Sequence, residues 1–149
     1  MLRFEGDRDF PQAPAELFAR LGDARFLVGC IPDVETVREA EAGRAELVLR
    51  PGFAFVRGTL DVTLRITEKS EPSAVRVALD SRGIGSTSEV EAALGLAPLE
   101  GGTRVHWVAE VKSLGGLLKM VPQGLIRGAA QKVINDAWAA VEAKLRETA

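Results

Sequence analysis

Side chains that can act as nucleophiles, bases or metal ligands are scarce in this sequence. His106 is its only histidine, Cys30 its only cysteine, and it contains no tyrosine. A catalytic zinc ion needs several protein ligands, and a serine nucleophile needs a base within hydrogen-bonding distance. By alternation, His106 shares the polar face of its strand with Arg104, where we expect it to be solvated. The sequence therefore predicts no catalytic residue, no metal site and no cofactor, and we expect that the protein is not an enzyme.

Two further features resemble functional motifs but have simpler explanations. Cys30 lies in the apolar segment 26–31, and a reactive thiol needs nearby positive charge and solvent access. We therefore interpret Cys30 as a small buried hydrophobic residue. The pair Gly83 and Gly85 lacks the third glycine and the following helix of a dinucleotide-binding loop, so it predicts a turn.

The overall composition is that of a folded protein without affinity for nucleic acid. The 149 residues fit one domain, residues 1–149, and the net charge of −2 provides no basic surface. No apolar run reaches the roughly 18 residues of a membrane-spanning helix, and residues 1–10 carry too many charges for a secretion signal. A lone cysteine agrees with a reducing compartment. We expect a cytoplasmic protein, with a peripheral position at the inner membrane face as an alternative.

The elements that must position these residues follow from hydrophobic periodicity. Residues 2–10 predict a first strand, and two short helices, 14–21 and 24–30, follow it. Between residues 34 and 113 apolar and polar residues alternate, which is typical of antiparallel strands with one buried face. Strands are predicted there at 34–40, 44–50, about 54–66, 75–80, 90–96 and 103–113. The order predicts an α+β fold of the helix-grip type, a seven-stranded curved antiparallel sheet with two short helices after strand one and a long C-terminal helix.

The last segment, 117–146, is the only long helical pattern and must cover the apolar face of the sheet. Pro122 is expected to kink or restart this helix near its first turn. An apolar stripe is predicted along it at Leu118, Val121, Leu125, Ala129, Val133, Ala137, Val141 and Leu145. Small residues are predicted on the same inner side at Gly124, Gly128, Ala129, Ala130, Ala137 and Ala140. Small residues in both layers either bring the layers close or leave a void, and we favour a void because a curved sheet cannot flatten onto a straight helix.

Short motifs along nearly the whole chain carry a family resemblance. They are Gly6, residues 13–18 (Ala-Pro-Ala-Glu-Leu-Phe), 30–34 (Cys-Ile-Pro-Asp-Val), 83–86 (Gly-Ile-Gly-Ser), 102–105 (Gly-Thr-Arg-Val) and Gly115-Gly116. With these residues the chain resembles the helix-grip superfamily that includes START domains and the birch-pollen allergen, and within it the family of the carbon monoxide dehydrogenase G protein, CoxG. The sequence departs from the family pattern at Phe18, where tryptophan is usual, and at Asp33, where glycine is usual.

The resemblance implies one of two roles. Relatives of this kind resemble accessory proteins that bring a molybdenum hydroxylase to the inner membrane face, or that hold a quinone or a lipid. Recruiting members generally carry a hydrophobic tail after the last helix, whereas this sequence ends at Ala149. Stable anchoring by a tail is therefore not expected.

The predicted void beneath the helix is the candidate ligand site. Its walls are expected to be Phe18, Phe26, Ile31, Leu60, Val62, Val77, Val90, Trp107, Val121 and Leu125. Ser86 and Ser88, together with Ser81, share the inward phase and could orient a ligand head group or hold water. Two alternatives remain: the apolar residues are plain core, and the serines lie at hairpin ends near solvent.

These features support two main hypotheses. The first is a non-catalytic carrier of a hydrophobic small molecule of the lipid or quinone class. The second is a membrane-side adaptor for a molybdenum-hydroxylase-type redox enzyme such as carbon monoxide dehydrogenase. Residues 115–135 contain three basic residues and no acid, which predicts transient contact with an anionic membrane; an amphipathic helix packed on the core is the alternative. A cyclase or hydrolase is least favoured, because tyrosine is lacking and His106 points outward.

Overall fold

Seven antiparallel strands form one curved sheet, and a long C-terminal helix lies against its inner face. The computed structural model describes residues 2–52 and 57–147. The strands are β1 Leu2–Phe10, β2 Val34–Ala40, β3 Arg44–Leu49, β4 Leu60–Ser70, β5 Ala74–Gly83, β6 Ser86–Leu99 and β7 Gly102–Gly116. The helices are α1 Pro14–Leu21, α2 Ala24–Val28 and α3 Gln123–Glu147, with a 3₁₀ turn at Leu117–Met120. The predicted α+β helix-grip architecture is confirmed.

The order of strands explains why two helices follow the first strand. Strands lie in the order β1-β7-β6-β5-β4-β3-β2. From β2 to β7 each strand pairs with the next one in the chain, whereas β1 pairs with β7. β1 and β2 therefore form opposite edges of the sheet. The segment with α1 and α2 carries the chain from one edge to the other.

The two short helices start where the sequence predicts. Pro14 occupies the first turn of α1, where its missing N–H costs nothing. Asp23 caps α2, because its carboxylate accepts a hydrogen bond from the backbone N–H of Arg25 at 2.9 Å. The second helix ends at Val28 rather than at Cys30, since the backbone forms a turn from Gly29 onward.

The fourth strand is shorter than predicted. It begins at Leu60, opposite Leu49 of β3, instead of near residue 54. Residues 53–56 lie outside the described part of the chain. Gly58 has a φ of 111°, a conformation that interrupts regular strand geometry directly before Leu60.

The C-terminal helix is interrupted at its proline, as predicted. The 3₁₀ turn ends at Met120, and α3 begins after Pro122. The backbone N–H groups of Leu125 and Ile126 donate to the Pro122 carbonyl at 3.0 and 3.2 Å. Proline is tolerated here because it stands ahead of the helix, where no preceding turn requires its N–H group.

The buried face of α3 differs from the predicted apolar stripe. Leu125, a predicted member of the stripe, is 52% exposed. Each four-residue step turns a helix about 40° beyond a full turn, so the five steps from residue 125 to residue 145 rotate by about 200°. The two ends of the predicted stripe therefore cannot face the same sheet. The buried residues are Ile126, Trp138, Val141 and Leu145.

The prediction of small residues on the inner side of α3 is wrong for its two glycines. Gly124 and Gly128 are exposed, and no atom lies within 4 Å of the place where a Cβ would stand on either. Ala130 and Ala137 do face the sheet, since each lines a pocket there. The space beneath the helix is therefore bounded by alanine and not by glycine.

Two hydrophobic clusters form the core. The larger one joins α1, α2 and the C-terminal half of α3 to the middle of the sheet, and contains Phe10, Leu17, Leu47, Leu64, Val105 and Trp138 among others. The smaller one contains Leu2, Phe4 and Ile126. Trp107 and Ile134 pack against both clusters. These two side chains therefore lie at the junction between the halves of the core.

Candidate functional site

Two apolar pockets lie between α3 and the sheet. The first, which we call the tip pocket, has a volume of about 240 Å³ and lies under the first half of α3. The second, the inner pocket, has a volume of about 160 Å³ and lies under the second half. The tip pocket is lined by Phe4, Pro51, Leu60, Ser81, Ser88, Val90, Ala109, Glu110, Val111, Leu114, Leu118, Ile126, Ala129, Ala130, Val133 and Ile134. The inner pocket is lined by Leu21, Leu27, Cys30, Ile31, Leu64, Val77, Leu79, Ala92, Leu94, Ala137, Trp138 and Val141.

The pockets are neighbours within one layer of space. Ala109 lines the tip pocket, and its register partner Ala92 on β6 lines the inner pocket. On the helix, Ile134 lines the first pocket and Trp138, one turn later, lines the second. The single predicted chamber is therefore two pockets, because large side chains of α3 reach the sheet between them.

Trp107 closes the junction from the side of β7. Its ring centroid lies 6.2 Å from that of Trp138. The ring extends over Gly6 on β1, where a Cβ would stand only 3.0 Å from a ring carbon of Trp107. Gly6 thus leaves room for the indole, which gives a physical reason for glycine in the first strand.

A pair of serines provides a polar spot in the tip pocket. Ser81 on β5 and Ser88 on β6 are register partners, and their hydroxyls are hydrogen-bonded to each other. Among the described lining residues, Glu110 is the only other one with a polar side chain, and its carboxylate lies 3.7 Å from Lys112 Nζ. Each hydroxyl has one donor and two acceptor lone pairs. The pair therefore keeps one donor hydrogen and several lone pairs for a ligand.

The structure brings five of the predicted wall residues to the pockets. Leu60, Ser88 and Val90 line the tip pocket, and Ile31 and Val77 line the inner pocket. The predicted inward phase of Ser81 is also correct.

The other seven predicted residues lie elsewhere. Phe18 and Val62 are buried within the larger cluster, Phe26 and Trp107 pack on it, and Val121 packs on the smaller one. Ser86 is buried, but its hydroxyl donates to the carbonyl of Ile84 at 3.5 Å instead of lining a pocket. Leu125 faces solvent for the helical reason given above.

Sequence reasoning missed several residues that shape the pockets. The most important are Phe4, Ile126, Ile134 and Trp138. Their signal is a second stripe at 126, 130, 134 and 138, which runs beside the predicted one. Counting rotation along the helix would have favoured it, because this stripe leads to Val141 and Leu145 with less drift.

The residues capable of chemistry are placed as the sequence predicts. His106 is exposed, with Nδ1 2.8 Å from the carboxylate of Asp7. Burial raises the pKa of the Cys30 thiol to about 11, although the nearby Lys144 opposes this shift. Within the described residues, no group of three or more histidine, cysteine or acidic side chains is placed to hold a metal ion.

A larger concavity of about 950 Å³ lies on the outer face of the sheet, but it is a polar furrow. Several charges that line it are paired with other residues: Arg65 with Asp80 at 3.0 Å, and Lys112 with Glu91 at 3.4 Å. Charges that already neutralise each other do not need a ligand. The apolar pockets under α3, which lack such pairing, are the better candidate site.

The comparison with protein families identifies the chain. The family model of CoxG, the G protein of carbon monoxide dehydrogenase, matches residues 6–146. The chain belongs to this family. No curated protein matches the sequence. As a member of the CoxG family, the chain keeps every strand and helix described above within or overlapping the matched range.

Solved structures show the same fold in distant proteins. A conserved protein of Geobacillus kaustophilus superposes with a TM-score of 0.85 at 19% identity, over 99% of this chain and 97% of the other. The AHSA1 protein of Silicibacter pomeroyi gives a TM-score of 0.67 at 17% identity, over 99% and 100% of the two chains. The protein Ms6760 of Mycobacterium smegmatis gives 0.63 at 19% identity, over 99% and 93%. At these identities the likeness concerns the fold.

The structure explains one departure from the pattern of the CoxG family. Asp33, where glycine is usual, has a φ of 64°. This left-handed conformation favours glycine but is open to aspartate, whose short side chain can form local hydrogen bonds. The Asp33 carboxylate accepts one from the backbone N–H of Gly52 at 3.3 Å. Glycine is therefore replaced here without a change of backbone.

Proposed function

We propose that this protein is a non-catalytic carrier of a hydrophobic small molecule of the lipid or quinone class. The single observation that carries the proposal is the pair of apolar pockets beneath α3, with the hydroxyls of Ser81 and Ser88 in one of them. Membership of the CoxG family agrees with a binding or accessory role.

The chemistry of the pockets defines the ligand. Apolar walls favour an aliphatic or ring-shaped body, since each buried methylene contributes about 0.8 kcal/mol. The serine pair fits one oxygen that accepts or donates a hydrogen bond, such as a quinone carbonyl or the ester carbonyl of a lipid. Neither pocket alone reaches the roughly 300–1,000 Å³ of a drug-sized site, but the two joined do. A ligand that enters both displaces the side chains of Ile134 and Trp138.

Two experiments test the carrier function. Native mass spectrometry of protein purified without detergent should detect a bound hydrophobic molecule. In a second assay, a benzoquinone with a short alkyl tail is titrated while tryptophan fluorescence is recorded. The only tryptophans are Trp107 and Trp138, and both lie at or beside the junction of the pockets, so a bound quinone should quench them in a saturable manner. Absence of both a bound molecule and saturable quenching would refute the proposal.

A second candidate function rests on the family itself. The matching model is named for a component of carbon monoxide dehydrogenase, a redox enzyme. We propose as the alternative that the protein is an accessory factor of such a molybdenum-hydroxylase-type enzyme, cytoplasmic and peripheral to the inner membrane face. None of the helices in the described residues is long and apolar enough to cross a bilayer. Co-purification with carbon monoxide dehydrogenase from the same cells would support this function, and separate elution would contradict it.

A further inference from the structure

Exposed apolar side chains are concentrated beside the tip pocket. Met120 is 81% exposed, Leu117 57% and Leu125 52%. Among the described residues, Val37 is the only other exposed large hydrophobic side chain. A local group of such side chains on a water-facing surface indicates contact with a partner. We call residues 117–127 the docking turn.

The docking turn also forms the wall of the tip pocket. Leu118 and Ile126 line that pocket, whereas their neighbours Leu117 and Leu125 are exposed. The two outer and two inner side chains lie on opposite sides of one short stretch of backbone. Movement of this stretch would therefore open the pocket on the side where the exposed residues lie.

The neighbouring hairpin holds the docking turn in place. Gly116 has a φ of 63°, which turns the chain sharply at the end of β7. The backbone N–H of Leu117 then donates to the carbonyl of Gly85 at 3.0 Å. Leu117 and Met120 are thus presented outward by a fixed backbone.

The charge around the docking turn is positive. Residues 114–135 contain Lys119, Arg127 and Lys132 and no acidic residue. Lys132 forms an ion pair with Asp136 at 2.7 Å, and the guanidinium of Arg127 lies 5.3 Å from the ring centroid of Phe4. Basic side chains interspersed with exposed apolar ones are typical of surfaces that bind anionic lipid.

We propose that the docking turn seats the protein on an anionic lipid bilayer. Leu117, Met120 and Leu125 enter the headgroup region, and Lys119 and Arg127 contact lipid phosphates. A protein partner fits less well, because a specific protein interface needs about 800 Å² on each side and the turn is a short projecting segment. The inference rests on the proposed carrier function, since it places the tip pocket against the membrane that holds the ligand.

Vesicle co-sedimentation tests the proposal. The wild-type protein should bind vesicles of phosphatidylcholine mixed with phosphatidylglycerol, bind pure phosphatidylcholine vesicles much less, and dissociate as salt is added. Lys119→Gln should weaken binding about five-fold, because each basic residue near an anionic surface contributes about that factor. Arg146→Gln, an exposed basic residue near the far end of α3, is the matched control and should bind as the wild type does.

The apolar contribution is tested separately. The double variant Leu117→Ser and Met120→Ser should lose at least ten-fold in binding, since both side chains leave water on docking. The exposed Val37→Ser variant is the control and should bind normally. Both changes replace exposed side chains, so circular dichroism and melting temperature should stay unchanged.

The quinone titration in solution separates this proposal from the carrier function. Variants that lose vesicle binding but keep quinone quenching support docking through this turn. A wild-type protein that binds quinone but ignores anionic vesicles overturns docking and leaves the carrier function intact. Equal binding by wild type and both docking-turn variants also overturns it. Vesicle binding without quinone quenching supports docking and refutes the carrier function.

Discussion

Filling the tip pocket from the helix gives the sharpest test of the space beneath α3. Ala130 lines this pocket on the inner side of α3. Leucine at this position adds three carbon atoms, each worth about 0.8 kcal/mol when buried in available space. Loss of side-chain rotamer freedom costs about 0.5–1 kcal/mol. The Ala130→Leu variant should therefore gain about 1.5 kcal/mol in the free energy of unfolding, which raises the melting temperature by about 3–6 °C.

The same variant should bind ligand poorly. Its leucine occupies the room of about three ligand carbons, which corresponds to a loss of about 50-fold in affinity for the alkyl quinone. Thermal denaturation and the fluorescence titration measure the two effects on one protein sample. Ala139→Leu is the matched control, because Ala139 is exposed on the same helix, and its stability should change by less than about 0.5 kcal/mol.

The sign of the stability change decides between an open pocket and plain core packing. In a filled core the added carbons would force neighbouring side chains from their rotamers and cost about 1–3 kcal/mol. A destabilised Ala130→Leu protein with unchanged quinone affinity would refute both the space and its use.

Three other changes have defined outcomes. Replacing Ser81 and Ser88 together by alanine should leave stability nearly unchanged but weaken quinone binding about two- to ten-fold, whereas a larger loss of stability would show that the pair serves the fold. Gly6→Ala should destabilise the protein by about 1–3 kcal/mol and shift tryptophan emission, because its Cβ would press on the Trp107 ring; an unchanged spectrum would contradict this packing. The pKa of about 11 at Cys30, against an ordinary value of 9.0, predicts negligible alkylation of the native protein at pH 8, and stability that is full below pH 9 and declines from pH 9 to 11, as comparison with a Cys30→Ala variant should show.

Much of the fold could be predicted because its signals are local. Alternation along β5 and β7 decides which side chains face inward, since successive residues of a strand point to opposite faces. Pro14, Asp23 and Pro122 mark helix starts through their own backbone chemistry. These effects operate within a few residues and need no knowledge of the partner element. The position of Ser81 and Ser88 on the inner face follows from the same alternation.

The rest depended on how α3 lies on the sheet. The helix carries two adjacent apolar stripes, one through Leu125 and one through Ile126, and its sequence alone does not choose between them. Packing of Trp138 against Phe10 and Trp107 selects the second stripe and turns Leu125 to solvent. The same rotation divides the expected chamber into two pockets, because it places large and small side chains of α3 in turn over the sheet. A sequence determines the faces of each element, whereas the space left between two elements depends on their mutual rotation and distance, which only tertiary packing sets.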